Sequence, residues 1–250
     1  MTFFRFPRTP HLAWFGTKPP RDDKVLSADG ARKLLAGEVV VEEKIDGANV
    51  GLSVDENGRV QAQNRGGYLA SENAHPQFKP LFRWIAERRL RLERALAPGL
   101  MLFGEWCCAV HTVRYEALPD WFLAFDVYDR RHGFFWSSDR RDKWTRKLGL
   151  APVPQLARGR FDLLALQNLL HTSRFGTGAA EGLYLRRDEG PRLALRAKLV
   201  RPEFAQPANQ HWARRRLETN SLARPTARGH EGTGTDTDGG RSRPRTRHQL

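Results

Sequence analysis

Glu42-Glu43-Lys44-Ile45-Asp46-Gly47-Ala48-Asn49 follows directly on the valine run Val39-Val40-Val41. Consecutive β-branched residues favour a strand, so Lys44 stands at a strand end. Asp46 follows two residues later. Gly47, having no Cβ, lets backbone approach a ligand closely. An amine at a strand end, beside a carboxylate and a glycine, is a setting in which nitrogen can attack phosphorus. The same octet also fits an ordinary strand end with solvated charges, so its meaning depends on the segments around it.

Downstream, Val50, Leu52 and Val54 alternate with small or polar residues, Asn57-Gly58 signals a hairpin turn, and Val60 and Ala62 resume the alternation. Lys44 therefore lies just before an antiparallel hairpin. Upstream, Asp29 to Leu35 reads as a short helix ended by Gly37. Pro7-Arg8-Thr9-Pro10-His11 and Lys18-Pro19-Pro20 read as extended chain.

Phe78, Leu81, Phe82, Ile85, Leu92 and Leu96 recur at helical spacing, interrupted around Arg88-Arg89 and ended by Pro98-Gly99. Arg83, Arg88, Arg89, Arg91 and Arg94 are expected on the solvent face. Leu100 to Trp106 and Trp121 to Tyr128 read as apolar strands, followed by a turn at Arg131-His132-Gly133. Asp139 to Leu148 and Phe161 to His171 look helical, and Glu181 to Arg187 is strand-like. Leu193, Leu195, Ala197 and Leu199 alternate along a last strand, which puts Arg196 and Lys198 together on its other face.

The chain has 250 residues, enough for one large domain with a small appendage. Its net charge of +14 and pI near 10.6 favour polyanionic partners. No apolar run is long enough to span a bilayer, and the N-terminus lacks a secretory apolar region. Cys107 and Cys108 are the only cysteines and are adjacent, a poor geometry for a structural disulfide. They read as buried reduced thiols of a cytoplasmic protein. The histidines show no zinc-ligand spacing.

Five segments fall in order: Lys44-Ile45-Asp46-Gly47-Ala48-Asn49; Gln63-Asn64-Arg65-Gly66; Phe103-Gly104-Glu105-Trp106; Phe122-Leu123-Ala124-Phe125-Asp126-Val127; and Glu181-Gly182-Leu183-Tyr184 with Arg196-Ala197-Lys198-Leu199-Val200. Their order and spacing resemble the covalent nucleotidyltransferases, the ATP-dependent ligases and capping enzymes. Asn49 points within that group to the bacteriophage RNA ligase 2 branch of ATP-dependent RNA ligases. The resemblance covers roughly residues 38–205. It implies an α+β nucleotidyltransferase fold, with twisted antiparallel sheets flanking a nucleotide cleft.

The resemblance also implies roles. Lys44 attacks the α-phosphorus of ATP to form lysyl-AMP, and the cofactors are ATP and Mg2+ or Mn2+. Attack needs a neutral amine, which costs about 4–5 kcal/mol at neutral pH for an ordinary lysine. Neighbouring cations, Lys198 above all, and partial burial are expected to reduce that cost. Glu105 and Glu181 match the two acidic residues, one near the ribose and one near the metal. Glu181 is the first metal candidate, with Glu105 and Asp46 behind it. Arg65 matches an arginine on the AMP phosphate or the nucleic-acid end, Phe125 the aromatic that stacks on adenine, and Glu43 a position used for adenine recognition. Asn49 and Arg65 are assigned to the RNA end and the later steps.

Two features depart from the pattern. The last motif, whose two cations the resemblance assigns to nucleotide binding, usually reads K-x-K; here it is Arg196-Ala197-Lys198, so Arg196 takes the first nucleotide-binding place with the charge kept but without a compact point donor. Residues 1–205 would form the adenylyltransferase domain, residues 206–222 a short helical extension and residues 223–250 a disordered Arg/Gly/Thr-rich tail. That leaves no room for the OB-fold that DNA ligases and capping enzymes append. The reading is an enzyme that joins 3′-OH and 5′-phosphate ends of nicked or broken RNA in repair. The alternatives are a self-adenylylating protein that needs a protein partner to seal, and a non-catalytic nucleic-acid-binding module on the same scaffold.

Overall fold

A computed structural model describes residues 3–16, 25–96, 99–205 and 216–224. The Lys18-Pro19-Pro20 stretch, Pro98 of the helix stop, residues 206–215 of the expected helical extension and residues 225–250 of the expected tail lie outside the described residues. The elements, in chain order, begin with α1 (Ala28–Leu35), β1 (Val39–Lys44), β2 (Ala48–Val54), β3 (Val60–Gln63), α2 (Lys79–Leu96), β4 (Leu100–Trp106) and β5 (Phe122–Asp129). Then come β6 (Phe134–Phe135), α3 (Ser138–Lys147), β7 (Ala151–Pro152), β8 (Gln155–Gly159), α4 (Leu163–Asn168), β9 (Gly182–Glu189), β10 (Arg192–Val200) and α5 (Pro202–Ala205).

Two sheets result. The first runs β10-β9-β1-β8, and the second runs β3-β2-β4-β5-β6 with β7 added beside β5. The β5–β7 pair is parallel and the other strand pairs named here are antiparallel. β1 leads straight into β2, so the Lys44 stretch is the crossing between the sheets. The β2–β3 hairpin turns at Gly58, whose φ of 74° favours glycine.

Strand alternation gives the first sheet two unlike faces. Val39, Val41, Leu183, Leu185, Ala197 and Leu199 bury one face in a core shared with Leu34 of α1 and Leu166 of α4. Glu42, Lys44, Tyr184 and Lys198 occupy the other face and border a cleft against the second sheet. The second sheet packs Val50, Leu52, Leu102 and Phe122 against Leu81, Trp84 and Leu92 of α2.

Three expectations change. α2 runs unbroken through Arg88-Arg89, because Arg88 lies 4.5 Å over the Trp84 ring and its guanidinium donates to Asp120 at 3.3 Å. Arg88 thus leaves the solvent face and fills the gap in the apolar spacing. The helix expected over 161–171 is confined to Leu163–Asn168, capped by Asp162. Residues 216–224 contain no helix and lie extended along the connection between β4 and β5. Both cysteines are buried and reduced, as their adjacency implies.

Candidate active site

The cleft holds a cavity of about 650 Å³, lined by Lys44, Asn49, Arg65, Glu105, Phe125 and Lys198 among others. Strand register brings several of these together. Lys44 pairs with Gly182 across β1 and β9, so Glu181 arrives beside it, and Lys44 Nζ contacts Glu181 Oε2 at 2.5 Å. Asn49 lies opposite Glu105 across β2 and β4. Lys198 lies opposite Tyr184, which in turn lies opposite Glu42, so the second lysine reaches the cleft from two strands away. Glu181 itself is not among the lining residues; it stands behind Lys44.

The charge states follow from this crowding. Burial pushes the Glu105 carboxyl up to about 8, with the nearby Glu181 and Asp46 adding to the rise and Lys44 opposing it. Glu181 is raised for the same first reason, burial. Burial disfavours the Lys44 ammonium, but the carboxylates of Glu181 and Glu105 outweigh it and the net shift is upward. The expected depression of Lys44 by neighbouring cations is therefore reversed among the protein's own groups: its nearest partner is an acid.

Other candidates are held in different ways. Arg65 sits at the exposed rim of the cavity in a tight turn, where the Asn64 side-chain oxygen accepts from the N–H groups of Gly66 and Gly67 at 2.7 and 3.0 Å. Phe125 is 9% exposed, lines the cavity and meets Phe6 edge-on at 5.3 Å. Glu43 borders the cavity, but its carboxylate turns the other way and accepts from Ser173 Oγ at 2.5 Å and the Arg174 N–H at 2.9 Å. Asp46 Oδ2 accepts from the N–H groups of Thr112 and Val113 at 2.6 and 2.8 Å. Gly47 lines the cavity and is also required by packing: a Cβ there would meet the Trp106 carbonyl oxygen at 2.8 Å.

Arg196 is not among the lining residues. Its guanidinium donates to Asp126 Oδ2 at 3.0 Å and lies 4.7 and 4.5 Å from the Phe6 and Phe135 rings. It caps a buried ion network. Arg186 donates to Asp126 Oδ1 at 2.6 Å, and Arg141 of α3 donates to Glu42 Oε1 and the Phe125 carbonyl, both at 2.5 Å. Glu42, Asp126, Arg141 and Arg186 are all fully buried. The network ties β1 and β9 of one sheet to β5 of the other, directly behind the cavity.

Sequence reasoning missed this network, and it missed His75, Gln77 and His111, which also line the cavity. His111 Nε2 lies 2.9 Å from Gln77 Oε1. His75 caps a single 3-10 turn, Pro76–Phe78, that contains Gln77, and His111 belongs to an irregular connection, neither long enough to carry a periodic signal.

The arrangement suits a nucleotide with its metal. The volume is in the range of small-ligand sites, and the lining combines cations at Lys44, Lys198 and Arg65, apolar groups at Phe6, Phe125 and Val153, and the carboxylate of Glu105. Among the described residues no cluster of three or more His, Cys, Asp or Glu could hold a metal ion unaided. One or two carboxylates fit a magnesium-type ion that completes its shell with phosphate and water.

The family model described as RNA ligase matches residues 37–200. No curated protein matches the chain. Among solved structures, Naegleria gruberi RNA ligase with pyrophosphate aligns at a TM-score of 0.57 and 18% identity, over 80% of this chain and 62% of that one. A mutant of that ligase with ATP and Mn aligns at 0.54 and 17%, over 70% of this chain and 52% of that one. A candidate ATP-dependent DNA ligase from Aquifex aeolicus aligns at 0.51 and 19%, over 81% and 51%. The chain thus spans about half to three-fifths of the length of these structures, and the likeness is one of fold.

Proposed function

The chain belongs to the RNA ligase family, and from that premise we propose that it is an ATP-dependent RNA ligase, of the bacteriophage RNA ligase 2 branch, with Lys44 as its nucleophile. The observation that carries this reading is the placement of Lys44 at the mouth between the sheets, 2.5 Å from Glu181 and in one cavity with Glu105, Phe125 and Lys198. Lys44 Nζ bonds to the α-phosphorus of ATP while the bond to the leaving pyrophosphate breaks. The proton that the ammonium must first lose has Glu181 Oε2 as its nearest acceptor. The 5′-phosphate of the RNA then takes AMP from Lys44, and the 3′-OH displaces AMP to close the strand.

Lys198 balances charge on the phosphate during the first step, and Phe125 offers a face for adenine. Glu105 serves the ribose side and Glu181 the metal side. A divalent metal bound with ATP would neutralise phosphate charge and draw on Glu181, loosening its hold on Lys44. Asn49 and Arg65, one beside Glu105 and the other on the rim, serve the RNA end. Cytoplasmic repair of broken RNA is the setting in which this chemistry has a use.

The test uses ATP labelled in its α-phosphate with Mg2+ or Mn2+, followed by denaturing electrophoresis. Wild type should carry covalent label, and Lys44→Ala should carry none. Lys44→Arg should also fail, because a guanidinium stays protonated and has no free lone pair for the attack. Label on Lys44→Ala would place the nucleophile elsewhere and end this reading.

A further inference from the structure

Between β4 and β5 the chain follows an irregular path, residues 107–121, past the turn that directly follows Lys44, the last residue of β1. That turn is held from two sides by this one connection. Asp46 Oδ2 accepts from the Thr112 and Val113 N–H groups, and the Asp46 N–H donates to Tyr115 Oη at 2.7 Å. The connection is itself held by residues 216–224. Asn220 is 4% exposed, and its Oδ1 accepts from the Tyr115 N–H at 2.8 Å. Its Nδ2 donates to the carbonyls of Cys107 at 2.8 Å and Ala109 at 3.1 Å.

Backbone bonds extend the contact on both sides of Asn220. The Asn220 N–H donates to Cys108 O at 3.0 Å, Val110 N–H to Glu218 O at 2.9 Å, Ser221 N–H to Tyr115 O at 3.0 Å and Leu118 N–H to Ser221 O at 2.9 Å. A buried carboxamide with three such partners fixes the backbone it touches, because each group it abandoned would be left unpaired out of water.

We infer that residues 216–224 are a strap of the active site, in which Asn220 is a positioning residue that acts through Tyr115 and Asp46 to set Lys44. The strap deepens the ligase reading and rests on it for the chemistry, though not for the geometry. It gives Asp46 a structural task, since its Oδ2 already serves two N–H groups. Releasing the connection lets the turn after β1 drift, and a misplacement of about 1 Å at a nucleophile can cost on the order of 100-fold in rate.

The test compares full-length Asn220→Ala, Tyr115→Phe and the double variant, at temperatures where circular dichroism shows each folded. At saturating ATP, single-turnover labelling of Lys44 should slow by about 10–100-fold in Asn220→Ala and about 3–10-fold in Tyr115→Phe. ATP affinity should stay within about threefold, and the double variant within about twofold of Asn220→Ala, because both act along one path. Hydrogen exchange in Asn220→Ala should quicken over residues 44–49 as well as over 107–118. Unchanged saturating rates, losses that multiply in the double variant, or exchange that rises only in 107–118 would each overturn the strap. Should Asn220→Ala not fold, Tyr115→Phe decides, by its own rate and by exchange over 44–49. If wild type takes no label, the ligase reading fails, and the exchange measurement still decides whether the strap holds the Lys44 turn.

Discussion

Glu105 and Lys44 set each other's charge, and the balance has a pH signature. Burial raises the Glu105 carboxyl to about 8 in the folded protein from an ordinary value near 4.5. The native state therefore binds this proton more tightly than the unfolded chain does. The stability so gained is fully present below the unfolded value and is lost as pH rises through the folded one. Glu105→Gln cannot ionise, so relative to wild type it should be more stable at pH 9 than at pH 5, by on the order of 4 kcal/mol. Thermal unfolding of both proteins at the two pH values checks this, and an equal difference at both would mean that Glu105 ionises freely. The result matters for chemistry as well. Glu181 is raised by burial too, but it is the acid in contact with Lys44, at 2.5 Å, and so the nearest group to release the ammonium.

At the level of elements, the cleft face of β1, β9 and β10 depends on charges that no water reaches. Arg141 is the direct partner of Glu42, two residues before Lys44, and both are fully buried. Arg141→Met should cost about 3–5 kcal/mol in urea unfolding, because it strands the Glu42 carboxylate in the interior. Adding Glu42→Gln should recover part of that loss; a double variant no more stable than Arg141→Met would mean that the guanidinium matters through its bonds to Phe125 and Asp142 instead. This network also marks where the sequence stops being readable. The valine run announces β1, alternation and the Asn57-Gly58 turn announce β2, β3 and β10, apolar runs announce β4 and β5, the 181–187 segment announces β9, and the paired register of these strands carries Lys44, Glu105 and Lys198 into one cavity. Gln155-Leu156-Ala157-Arg158-Gly159 lacks alternating bulky residues, so edge strand β8 becomes visible only through its pairing with β1. Asp139 to Leu148 reads as a helix, but nothing in its charged run Arg140-Arg141-Asp142-Lys143 marks Arg141 as the residue that points inward, to Glu42 and the Phe125 carbonyl. Asn220 gives no local signal, since its partners are backbone groups more than a hundred residues away.

For the whole molecule, charge and chemistry separate. Of the net +14, residues 225–250 hold five Arg against three acidic residues, a net of +2, so +12 belongs to residues 1–224. Much of it is on exposed arginines such as Arg83, Arg89 and Arg94 of α2. Binding to RNA through dispersed cations releases counterions, so affinity should fall steeply with salt, with a log–log slope of about −0.7 per phosphate contacted on a single strand. Lys44 is one charge among many, and it faces Glu181 rather than solvent. Lys44→Ala should therefore bind RNA within about twofold of wild type at each salt concentration, with the same slope. The variant should nonetheless seal a broken strand supplied with its 5′-adenylate already attached. That last step bonds the 3′-OH oxygen to the 5′-phosphorus and expels AMP, and it never passes through the lysine. Fluorescence anisotropy measures the binding, and gel analysis of pre-adenylated RNA measures the sealing. If Lys44→Ala lost RNA affinity severalfold, the lysine would be part of the RNA-binding surface. If it bound normally but failed on the adenylated strand, Lys44 would be needed to position the end as well as to carry AMP, and the division between a dispersed binding surface and a local nucleophile would not hold.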